Sequence, residues 1–160
     1  MKELQITTNL QVFESLNELP KPVRELMQAA SEARQKAYAP YSSFSVGAAI
    51  LLDNGEIITG SNQENASFPS GLCAERTAIY YAGAKYPNRI MKTMAIIAGS
   101  QNHKTITPIP PCGACRQAIA EYEIKQAQPI ELYFMGEEGE IIKSNSLANL
   151  LPLLFDKNVL

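Results

Sequence analysis

The sequence predicts an α/β fold: a three-layer α-β-α sandwich around a mixed sheet of about five strands. Two observations predict it. Segments with a helical apolar period alternate with runs rich in strand formers, in the order helix, two hairpin strands, helix, strand, helix, two strands, helix. The chain has 160 residues, 46% of them hydrophobic, enough for one ordinary core, and no repeat, low-complexity tract or linker divides it.

Each element has a local reason. Residues 1–19 read as an N-terminal extension of unknown role, in which Leu4-Gln5-Ile6-Thr7 alternates like a strand but lacks a turn to pair it. Residues 20–160 are expected to form the single domain. Val23, Leu26, Met27 and Ala30 fall at helix spacing within 22–37. Pro40 then stops the helix, because the residue before a proline disfavours helical angles. Residues 44–52 are strand formers and small residues, Asp53-Asn54-Gly55 is a hairpin signal and 56–60 the return strand. Residues 61–72 form a polar loop containing Pro69 and Gly71. A helix starting at or just before Cys73 carries Ala74, Ala78, Ile79 and Ala82, and ends near 83–87. Residues 93–98 are a buried-strand run. A loop with three prolines leads to Cys112, and 114–123 reads as helix. Residues 130–134 and 140–143 are strands around a Gly136–Gly139 turn, and Ser146 caps a last short helix through Leu151.

Composition excludes several classes. The formal charge is −2 with acids and bases mixed, so the chain lacks the basic surface that nucleic-acid binding needs. No apolar run is long enough for a membrane-spanning helix. Met1-Lys2-Glu3-Leu4-Gln5 has no apolar signal core, so a cytoplasmic location is expected. Three cysteines is an odd number and argues for metal or catalytic use rather than a disulfide framework.

All three cysteines lie in two runs, Gly71-Leu72-Cys73-Ala74-Glu75-Arg76 and Pro110-Pro111-Cys112-Gly113-Ala114-Cys115-Arg116-Gln117. A Cys-x-x-Cys at a helix start aims two sulfurs at one metal. Cys73 brings the ligands to three, which leaves the fourth position of a tetrahedral zinc open, as in catalytic sites. Taken alone, Cys-x-x-Cys fits a thioredoxin-like redox pair equally well. The proline before Cys112 and the distant Cys-x-Glu decide for zinc, matching the zinc nucleobase deaminase signature in its three-cysteine form. One Zn²⁺ per chain is expected. His103 lies in the polar run Gln101-Asn102-His103-Lys104 and is expected to face solvent.

Charge is the difficulty of such a centre. Zinc with three thiolates is anionic and a weaker acid for its water than a histidine-ligated ion. Helix N-termini at both cysteine groups offset this. Arg76 is expected to hydrogen-bond a thiolate; for Arg116 a thiolate contact and an ordinary surface ion pair both stay open. Glu75 alone would merely complement a helix dipole, but beside Cys73 it is placed to move protons, a role worth ~10²–10⁴ in rate.

These runs, with Ala39-Pro40-Tyr41-Ser42-Ser43-Phe44-Ser45-Val46-Gly47-Ala48-Ala49, Gly60-Ser61-Asn62-Gln63-Glu64-Asn65-Ala66, Leu150-Leu151-Pro152 and Phe155, resemble the short zinc-dependent cytidine deaminases. The resemblance spans 38–155 and implies the fold of that family. It implies hydrolysis of cytidine and deoxycytidine to the uridine nucleosides and ammonia, as in pyrimidine salvage. Cys73, Cys112 and Cys115 would hold zinc. Glu75 would carry protons from water to ring N3 and to the departing amino group. Asn62 and Glu64 would read the sugar, Phe44 would pack on the pyrimidine, and the Ala66 carbonyl would meet the amino group. A homotetramer with sites closed by neighbours is implied. Phe155 then either serves a neighbour or anchors its own C-terminal segment. Phe68 stands where many relatives carry tyrosine, which removes a hydroxyl at a possible subunit contact, and Ser67 replaces a frequent cysteine.

Three rivals are weaker. A blasticidin-type deaminase does not need the acidic sugar reader Glu64. A polynucleotide-editing enzyme needs a basic, aromatic groove. A non-catalytic zinc module needs a fourth protein ligand.

Overall fold

The computed structural model describes all 160 residues. In chain order the elements are β1 (Gln11–Phe13), α1 (Lys21–Arg34), β2 (Phe44–Leu52), β3 (Ile57–Ser61), α2 (Ala74–Lys85), β4 (Met91–Ser100), α3 (Gly113–Gln126), β5 (Glu131–Met135) and β6 (Ile141–Ser144), with single 3₁₀ turns in the connections. The strands form one sheet in the order β1-β6-β5-β4-β2-β3. Only β4 and β5 run parallel, and α3 is the crossover that such a pair requires. No helix is long and apolar enough to cross a membrane.

Side-chain alternation along the strands divides the core into two. Ala48, Ile50, Met94, Ile96, Leu132 and Phe134 face one way, under α2 and α3. Their neighbours Ala49, Ala95, Ile97, Tyr133 and Met135 face the other, with Leu26, Met27 and Ala30 of α1. Buried on both faces, the central strands read as near-continuous apolar runs. The result is the three-layer sandwich that the sequence predicts.

Two strand glycines bring the helices close. A Cβ on Gly47 would lie 2.0 Å from the Ala30 carbonyl oxygen in α1. A Cβ on Gly60 would lie 2.6 Å from the Ala78 nitrogen and 2.7 Å from the Ala74 oxygen in α2. The hairpin between β2 and β3 forms as expected, with Gly55 at φ 86° and the Asn54 side chain accepting the Glu56 N–H.

The expectation of five strands is corrected to six. The added strand, β1, is three residues long and pairs Val12 with Ile142 antiparallel. No local turn announces a partner that far along the chain. Leu4-Gln5-Ile6-Thr7 belongs to no strand. α1 ends at Arg34 rather than 37, and the chain leaves it through short turns in which the Lys36 and Ala37 amides reach back three residues. The last helix shrinks to one 3₁₀ turn, Leu147–Asn149; Ser146 caps it as expected, accepting the Ala148 N–H, and Pro152 prevents extension.

Candidate active site

α2 and α3 lie on the same face, and both begin at the same end of the sheet. Cys73 is the residue that caps α2 and Cys112 the one that caps α3. Cys115 sits in the first turn of α3 and is fully buried. The Cys73 and Cys112 sulfurs are 3.8 Å apart and the Cys112 and Cys115 sulfurs 3.5 Å; all three lie within 4.8 Å of one another. Zinc–sulfur bonds of about 2.3 Å in a tetrahedron put sulfurs roughly 3.8 Å apart. Spacing and donor chemistry therefore both fit one zinc ion with a fourth position left over. His103 is exposed in its loop and is no part of this group.

The electrostatics favour thiolate at Cys73. Hydrogen bonding from Cys115, helped by Arg76, brings the Cys73 thiol down to about 5. Cys115 shifts upward, because its proton serves Cys73 and because it is buried. Cys73 therefore ionises before Cys115. The Arg76 Nη2 lies 3.7 Å from the Cys73 sulfur, the contact expected of it. Arg116 turns elsewhere: its Nε donates to the Pro111 carbonyl at 2.9 Å and its Nη1 to the Leu150 carbonyl at 2.6 Å. It braces the backbone beside Cys112 and touches no sulfur. Neither the thiolate contact nor the surface ion pair left open for it is formed, because two carbonyls without other partners lie within reach.

Glu75 occupies the first turn of α2 and is only 4% exposed. Burial, with the Cys73 charge adding, pushes its carboxyl up to about 7. A group so placed exchanges protons near neutral pH.

Beside this centre is a cavity of about 470 Å³, whose lining includes Asn62, Glu64, Phe68, Cys73 and Arg76. Glu64 Oε2 accepts the Tyr41 and Ser42 N–H groups, at 2.8 Å and 3.3 Å. A bond from the Ser42 hydroxyl, then the Tyr41 and Ser42 amides, hold its carboxyl below the ordinary range. Asn62 faces inward: its Oδ1 accepts the Val46 N–H at 2.8 Å and its Nδ2 donates to the Phe44 carbonyl at 2.9 Å. It ties β2 to the chain leaving β3, with one N–H and one lone pair to spare. Phe44 and Ala66 do not line the cavity within one chain. Phe68 is 74% exposed, its ring packed near Tyr41 at 5.9 Å. The Phe155 side chain is exposed while its carbonyl accepts from Gln117 on α3. Tyr41, Ser42, Gln63 and Leu72 also line the cavity. Sequence reasoning gave them no part; their only signal was a place inside the motif runs.

The model of the cytidine and deoxycytidylate deaminase zinc-binding region matches residues 20–129. The chain belongs to that family. All three cysteines and Glu75 of this deaminase chain fall inside the matched region, and residues 1–19 fall outside it. It is 46% identical over 130 residues to a cytidine deaminase of Halalkalibacterium halodurans, covering 81% of this chain and 91% of that one. With a cytidine deaminase of Sporosarcina psychrophila it shares 39% over 135 residues, 84% of this chain and 92% of the other. Among solved structures it resembles the cytidine deaminase from Burkholderia pseudomallei, with a TM-score of 0.70 and 37% identity over 82% of this chain and 97% of that one. The deaminase assignment and the zinc expected from the cysteine spacing agree with these likenesses.

Proposed function

We propose that the chain hydrolyses cytidine and deoxycytidine to uridine and deoxyuridine, releasing ammonia, in pyrimidine nucleoside salvage. One observation carries the reading: three sulfurs converge beside a cavity of nucleoside size, next to a buried glutamate. Residues 20–160 are assigned the catalytic domain and 1–19 an extension. A homotetramer in the cytoplasm is the setting that the family resemblance supports, with Phe68 and Phe155 exposed for subunit contacts.

Cys73, Cys112 and Cys115 hold the zinc, whose Lewis acidity, when it is bound, brings the loss of a proton from water into the neutral range. Glu75 accepts the proton that water loses as its oxygen bonds to C4 and delivers it to ring N3; it then carries the proton of the new C4 hydroxyl to the amino group, whose bond to C4 breaks to release ammonia. The sum is nucleoside plus water to uridine nucleoside plus ammonia. Arg76 stabilises Cys73 as thiolate. Asn62 and Glu64 orient the sugar, and the family resemblance alone assigns Phe44 and the Ala66 carbonyl to the ring.

The test is ammonia release from cytidine, deoxycytidine, cytosine and CMP by purified protein whose zinc content has been measured. Turnover of the two nucleosides alone, with about one zinc per chain, is expected. Cytosine as good a substrate as cytidine refutes the sugar assignment, and an active protein with far less metal refutes the zinc.

A further inference from the structure

The tight turn entering β2 grips Glu64. The Ser42 Oγ accepts the Phe44 N–H at 3.1 Å and lies 2.5 Å from Glu64 Oε1. A carboxylate only accepts, so the serine proton goes to Glu64. Two backbone amides, those of Tyr41 and Ser42, occupy Oε2. Three donors therefore engage both oxygens, and of about four acceptor sites on a carboxylate one remains.

The backbone that makes this possible is enforced. Ser43, between the serine and Phe44, sits at φ 53°, a conformation that residues with side chains adopt only where their surroundings demand it. Its amide donates to the Ala39 carbonyl and its carbonyl accepts the Gln101 N–H. Gln101 in turn donates from its side chain to Ser45. Tyr41, Ser42 and Glu64 all line the cavity.

We propose that Ser42 is a positioning residue for sugar recognition, its hydroxyl locking the Glu64 carboxylate so that one oxygen site is left for a single sugar hydroxyl. The inference rests on the reading of Glu64 as the sugar reader. A carboxylate already fixed loses little freedom when substrate binds. With its other sites filled it discriminates against a sugar that lacks the hydroxyl. The sugar stands away from the reacting ring, and a contact made equally before and during reaction acts on KM rather than kcat.

The test is steady-state kinetics of the zinc-loaded, full-length protein on cytidine and 2′,3′-dideoxycytidine, for wild type, Ser42→Ala, Ser42→Thr, Ser42→Cys and Glu64→Gln. Ser42→Ala is expected to raise KM for cytidine about tenfold, the loss of one hydrogen bond to a charged group. Its kcat, and its kcat/KM for dideoxycytidine, should stay near wild type. Ser42→Thr should restore the cytidine KM, and Ser42→Cys, a weaker donor, should fall between. An equal loss on both substrates, a fall in kcat, or an unchanged cytidine KM overturns the proposal. If Glu64→Gln weakens cytidine selectively and Ser42→Ala does not, the Ser42 role falls alone. If Glu64→Gln leaves the cytidine KM unchanged, the sugar reading falls and takes the Ser42 role with it.

Discussion

α1 lies alone on one face of the sheet over a cluster of 10 buried residues, while α2 and α3 share the other face over 18. Both faces use the same device for close approach, a strand glycine beneath helix backbone. The difference is in how the helices start. α1 begins after Pro20, with no cysteine and no acid in its first turn. α2 and α3 begin on cysteines, and lying side by side they bring two N-termini to one point. A lone helix cannot converge ligands in that way. The larger core therefore also fixes the geometry of the sulfurs, whereas the α1 face supports the fold without contributing any of them.

The strongest challenge to this division is Glu75→Ala. Zinc content should stay near one per chain while turnover falls by at least ~10²; metal analysis beside single-turnover rates checks it, and an active variant removes Glu75 from the chemistry. Next is the glycine pair. Gly60→Ala forces α2 away from β3 and Gly47→Ala forces α1 away from β2. Each should cost about 1–3 kcal/mol of stability. Only Gly60→Ala should also lower zinc content and kcat per folded molecule, read by thermal melting with metal and rate assays. Equal loss of activity in both variants would erase the distinction between the faces.

The smallest effect belongs to the α1 side. Arg34 donates to Glu137 at 2.6 Å. This bond, then the Thr105 N–H, holds the Glu137 carboxyl below its usual range. A depressed carboxyl stabilises the fold above the unfolded-state value of about 4.3 and loses that contribution as pH falls through its lower folded-state value. Wild type should therefore exceed Glu137→Gln by about 1 kcal/mol near pH 7. The gap should close in melts below about pH 4.

What could be read from sequence was local. Asp53-Asn54-Gly55 announced a hairpin because one turn encodes it, and Cys112-x-x-Cys115 announced two ligands because one helix start holds both; Cys73, 39 positions from Cys112, joined them only through the deaminase signature. Features that join distant chain were hidden. β1 has three residues and finds β6 across most of the chain. Arg116 reaches Leu150 through a carbonyl, a group that every residue carries. Glu64 is gripped by amides 22 and 23 positions away, and nothing in the letters Tyr-Ser distinguishes those amides from any others.

Cys73 and Cys112 stand 39 positions apart. An ion held by both closes a loop that contains α2, β4 and the proline run. A metal that binds only the folded chain stabilises it by mass action, by about 4 kcal/mol when free metal exceeds its dissociation constant roughly a thousandfold. The ion is therefore a clasp as well as a reagent. Stripping it leaves two helix starts joined by nothing but their packing, so loss of metal should also lower the melting temperature.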